Sequence, residues 1–157
     1  MPNWIEGTLK LRGKREDIKR FFDEGLEASS LADPKDREDQ VMDYSGENYI
    51  SYGFKNLPWI KDTRRAFIQN QEIEMDDEEG VLCLDVKQAW GFSCDKSDLD
   101  QWKAISDEYN LDLKLFGVER GGQFTQEVII IRGRSPIVNV TKYENWDWDC
   151  PFPCMGG

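Results

Sequence analysis

The alternation from Val81 to Trp90, read with the pattern that follows it, constrains this chain more than any other feature. In VLCLDVKQAW, Leu82, Leu84 and Val86 fall on one side and Cys83, Asp85 and Lys87 on the other, the two-residue period of a half-buried strand. Leu99, Trp102, Ile105 and Tyr109 then form a helical stripe, with Asp95 or Ser97 as the N-cap and Asn110 as terminator. Leu111 to Val118 alternates again, Gly121-Gly122 marks a turn, and Thr125 to Arg132 reads as a further strand. Strand, helix and hairpin in this succession must share one buried apolar face.

The chain opens in a similar way. Thr8 to Gly13 (TLKLRG) alternates, and Glu16 to Leu26 carries Ile18, Phe21, Phe22 and Leu26 on one helical stripe, with Gly25 near its end. Glu27 to Gly46 is acidic and polar around Pro34, the composition of a surface loop. Tyr49 to Phe54 suits a short strand. After Pro58, Trp59, Ile60, Thr63 and Phe67 fit a short helix. EIEMDDEEG holds six acids in nine residues, a solvated hairpin or turn. A last strand is expected over Ile137 to Thr141. The order predicts an α+β fold: a ferredoxin-like split βαβ antiparallel sheet with helices on one face. A large insertion follows the first helix, about 27–80, and an aromatic tail covers 143–157 of one single domain.

Composition limits the chemistry. At 157 residues the chain can bury a full core as one domain. It contains no histidine, so His-based triads, His-metal sites and the usual near-neutral proton shuttle are excluded. The net charge of −11 opposes broad nucleic-acid binding, because phosphate affinity comes from Lys and Arg. The same charge suits solubility, or docking on a basic protein. No apolar run approaches the roughly 20 residues that span a bilayer. MPNWIEGTLKLRG lacks the pattern of a secretory leader, so a cytoplasmic protein is expected.

The start MPNW, the strand TLKLRG, the Trp90-Gly91 knuckle and the run LFGVERGGQFTQEVIII together resemble the YubB ferredoxin-like family, small proteins carried by phages and plasmids. The likeness is strongest over Val81 to Gly133. It implies a ferredoxin-like fold and a mobile-element setting, and it supplies no catalytic residues.

Several stretches invite a site. Trp90, Gly91 and Phe92 lie between strand and helix, where helix amides can hold an anion and a ring can stack on a base. Asp95, Asp98 and Asp100 at the same end would instead cap the helix and repel an anion. Arg64 and Arg65, with Lys61 nearby, and Arg132, with Arg134, are clustered cations in an acidic chain. Such guanidinium groups recognise phosphate or pair with surface acids. ENWDWDCPFPCMGG combines aromatics with acids, either to pack the tail or to dock a partner. Cys83, Cys94, Cys150 and Cys154 lack paired CxxC spacing, leaving them free, paired or joined as a four-thiolate zinc site.

These readings lead to a non-enzymatic accessory protein of a phage or mobile element, acting in counter-defence. It would sequester a small host signalling nucleotide without turnover, with Trp90 and Tyr52 stacking and Arg64, Arg65 and Arg132 holding anionic groups. No catalytic residues, metal or cofactor are assigned. The alternative is an inhibitor that binds a host defence protein through its acidic face or its tail. An enzyme using carboxylates and a metal ranks last, and self-association remains open.

Overall fold

The computed structural model describes residues 3–28 and 40–157. Its centre is β1 (Trp4–Lys14), where Ile5, Leu9 and Leu11 point into the core and alternate with outward polar side chains. β8 (Glu79–Ala89) pairs antiparallel along the whole of β1, from Trp4↔Ala89 to Lys14↔Glu79. On the other side lies β9 (Asp112–Glu119), from Glu6↔Val118 to Arg12↔Asp112. Between β8 and β9 the chain forms α2 (Lys96–Tyr109). Both strands oppose β1, so they run parallel to each other with β1 between them. This is one split β-α-β unit.

The ferredoxin-like expectation is overturned by what surrounds that unit. After α1 (Arg15–Glu24) comes only β2 (Leu26–Glu27), which lies at the far edge of the sheet rather than beside β1. The remaining strands are β3 (Val41–Asp43), β4 (Ile50–Phe54), β5 (Trp59–Ile60), β6 (Phe67–Ile68), β7 (Glu72–Met75), β10 (Phe124–Ile130) and β11 (Ile137–Lys142). They make an eight-stranded sheet in the order β11-β10-β9-β1-β8-β6-β5-β2 and a second, three-stranded sheet β3-β4-β7. The fold is mostly antiparallel sheet with short helices, not the expected α+β arrangement with helices on one face. The cause is the stretch assigned to an insertion, 27–80. Its short strands extend the main sheet beyond β8 and also build the small sheet.

The helix expected after Pro58 is also absent. Trp59 and Phe67 pair across a β5–β6 hairpin. In its turn, Asp62 and Arg65 take left-handed φ values of 59° and 51°, which a helix does not accommodate. Thr63 Oγ1 donates to the Ile60 carbonyl and accepts from the Ala66 amide, replacing the missing helical bonds. Glu27 to Gly46, read as a loop, contains the last residue of β2 and all of β3; residues 29–39, with Pro34, lie outside the described residues.

One continuous core joins the layers. Ile18, Phe21 and Phe22 of α1 are buried. Phe21 meets Tyr109 of α2 edge-on at 5.5 Å between ring centres. Phe22 lies 4.9 Å from Tyr52 and 5.7 Å from Phe54, which ties α1 to the small sheet. Trp102 is buried, and its indole donates to Gln88 at 3.1 Å. The short α3 (Trp146–Asp149) begins the tail, which folds back onto β9. Among the described residues, no helix is long and apolar enough to cross a membrane.

Candidate functional site

The knuckle is built as a plug. Phe92 is fully buried, while Trp90 is 52% exposed and takes a left-handed φ of 71°. Gly7 and Gly117 face each other across β1 and β9. A Cβ on Gly117 would come within 2.6 Å of the Phe92 ring, so the glycine makes room for it. The Phe92 and Ser93 amides both donate to Gln126 Oε1, at 2.8 and 3.2 Å.

The start of α2 is already occupied. Asp95 accepts from the Asp98 amide, and Asp98 accepts from the amides of Cys94 and Asp95, a reciprocal capping box. Asp98 is buried, and Arg64 reaches it at 3.1 Å while binding Asp95 at 2.7 Å. Arg64 therefore comes to the end of the fold that the knuckle occupies, where it neutralises the cap. Partial desolvation and the Asp98 charge push the Cys94 thiol up, away from the thiolate of a reactive cysteine.

Tyr52 sits elsewhere, beneath α1. Its hydroxyl donates to Asp23 at 2.5 Å, and Lys19 donates to it at 3.1 Å. Lys19 also bonds Asp43 at 2.7 Å. Burial and the Asp23 bond hold the Tyr52 phenol protonated far above its ordinary range. The Asp43 bond holds Lys19 charged. Burial opposes ionisation of Asp43, yet Lys19 and Ser45 bring its carboxyl down to about 2. At neutral pH, Tyr52 and Lys19 are thus locked in the forms that cannot act as general bases. The Lys19–Asp23 spacing of four residues was visible in the sequence; their meeting with Asp43 was not.

Arg132 belongs to a third place, the opposite end of β1 from Trp90. Its guanidinium and its amide both bond Asp112 Oδ1, at 3.1 and 3.0 Å, and Arg12 holds Oδ2 at 2.7 Å. Burial opposes the charge on Asp112, but these donors bring its carboxyl down to about 2. Arg65, in the β5–β6 turn, is exposed. The five expected contact residues are therefore not gathered into one pocket.

Two features stand out instead. The tail is fixed on the outer face of the sheet, where Trp146 is buried with Val118 and Cys150 and its indole donates to the Pro153 carbonyl at 2.9 Å. Phe152 meets Phe116 edge-on. Two residues past Trp146, Trp148 is 85% exposed between Asp147 and Asp149. Separately, a cleft of about 520 Å³ lies at the start of α1, lined by Lys14, Arg15, Lys19 and Tyr49 but also by Glu16, Glu47, Glu78 and Glu79. Sequence reading missed this cleft, because its walls come from three segments far apart in the chain.

Among the described residues all four cysteines are free, and no group of three or more metal-ligating side chains is assembled. Comparison with known protein families, curated proteins and solved structures finds no match to this chain.

Proposed function

We propose that this chain is a non-catalytic accessory protein of a mobile element that acts in counter-defence by docking on a host protein through its acidic, aromatic tail. The observation that carries this reading is the contrast between Trp146 and Trp148. The first anchors the tail on the sheet, and the second stands 85% exposed, flanked by acids. A large aromatic side chain held out on a fixed backbone is the usual anchor of a protein interface. The charge of −11 favours a partner with a basic surface and speeds their encounter. The resemblance to the YubB family supplies the mobile-element setting.

Sequestration of a small host nucleotide keeps one supporting observation, the cleft at the start of α1 with its three cations and Tyr49. The four carboxylates in the same wall oppose an anion, which ranks this reading second.

The test is native mass spectrometry of the protein recovered from defence-active host lysate, for wild type and Trp148→Ala. A stoichiometric host protein, lost from the Trp148→Ala sample, supports docking through the tail. Bare polypeptide, or a partner retained by the variant, overturns it. A nucleotide released on denaturation moves the function to sequestration.

A further inference from the structure

Among the described residues, β11 is an unpaired sheet edge. All six of its residues, IVNVTK, are exposed, and Ile137, Val138 and Val140 are large and apolar. The other edges among the described residues are shorter. β2 has two residues, β3 three, and β7 four with Glu72 and Glu74 turned outward. Shortness and charge are the devices that keep sheet edges from pairing, and β11 has little of either. Lys142 is its one charged residue.

The direction of its free backbone groups follows from the ladder. The Tyr143 amide donates to the Gln123 carbonyl, and the β10–β11 register continues from Phe124↔Lys142 to Ile129↔Ile137. Odd-numbered residues of β11 thus bond to β10, because antiparallel ladders alternate. Val138, Val140 and Lys142 turn both backbone groups to the open edge.

We propose that β11 pairs antiparallel with β11 of a second copy, joining the two large sheets into one across a two-fold axis at Asn139. The segment is self-complementary in that register. Val138 of each copy faces Val140 of the other on one surface, and Ile137 faces Thr141 on the opposite surface. No like charges are opposed, since Lys142 meets Pro136. Arg134, before the strand, and Glu144, after it, come to the same end from opposite copies, so the flanking charges attract. A two-fold contact of this kind closes on itself and leaves no further edge for β11 to template.

The test is sedimentation equilibrium of the full chain, with circular dichroism to confirm the fold of each variant. Wild type is expected at twice the 18.3 kDa chain mass. Val140→Pro removes an outward N–H and leaves the β10 ladder intact; it is expected to weaken association at least tenfold. Val138→Lys and Val140→Glu are each expected to associate at least tenfold more weakly alone, because the new charge then faces a valine. When mixed they are expected to form a heterodimer preferentially, because the introduced ammonium of one chain then faces the introduced carboxylate of the other. A wild type that stays monomeric up to about 100 times a micromolar dissociation constant, or variants that associate like wild type, overturns the pairing. If Val140→Pro fails to fold, the mixing experiment decides alone.

Discussion

Phe92 rests against Gly117, in the space that the missing side chain leaves on β9. The knuckle is thereby keyed into the sheet, and α2 starts from a fixed point. Gly117→Ala forces its Cβ to within 2.6 Å of the Phe92 ring and 2.7 Å of Ile5. We expect a loss of about 1–3 kcal/mol, as in other overpacked cores, measured by urea unfolding. Combining it with Phe92→Leu should recover part of the loss, because the two changes share one space.

Trp90 projects from the same knuckle at a φ of 71°. A left-handed backbone costs a bulky residue roughly 1 kcal/mol or more, and glycine is free of that cost. Trp90→Gly is expected to melt at or above the wild-type temperature. A large drop would mean that the half-exposed ring contributes more by packing than the backbone loses by strain.

The two tail tryptophans should separate cleanly in their effects. Trp146→Ala removes a buried ring and its bond to Pro153, so a loss of about 3–5 kcal/mol is expected. Trp148→Ala, at 85% exposure, should stay within about 0.5 kcal/mol of wild type. Thermal unfolding of both variants checks this. Equal losses would contradict the division into an anchor and a presented side chain.

Asp112 provides a prediction in acid. Its carboxyl lies near 2 when folded, against an ordinary value of 3.8. A depressed carboxylate contributes stability that is complete above the unfolded value and is lost as pH falls through the folded one. The window therefore runs from about pH 4 to pH 2, with at most about 2 kcal/mol at stake. Asp112→Asn should be less stable than wild type at pH 7, and the gap should narrow across that window. A gap independent of pH would assign the loss to geometry rather than charge.

Much of the fold was written in local periodicity. Leu82, Leu84 and Val86 announced β8, the Leu99–Tyr109 stripe announced α2, and Asp95 and Asn110 sit at its two ends as their chemistry suggests. Period alone does not say which strands are neighbours. The two-residue β2 carries too little pattern to reveal that it lies at the sheet's far edge. Trp59, Ile60, Thr63 and Phe67 fit a helical stripe, and only the left-handed turn at Asp62 and Arg65 makes them a hairpin. The candidate site suffered similarly. Cations were legible in the sequence but their partners were not, so Arg64 and Arg132 looked available when both already hold buried carboxylates.

The central position of β1 has a consequence for the order of events during synthesis. It is one of the two central strands of the large sheet, yet both its neighbours, β8 and β9, follow it by a long stretch of chain. On the ribosome, β1 emerges with both backbone edges unpaired and waits while residues 15–78 are made. Its second edge is paired only once β9, which ends at Glu119, has been added. Pairings this distant in sequence make folding slow, and a strand with one apolar face left waiting is exposed to capture by chaperones or by other chains. The strand that organises the finished molecule is thus its most vulnerable element while the chain is being made.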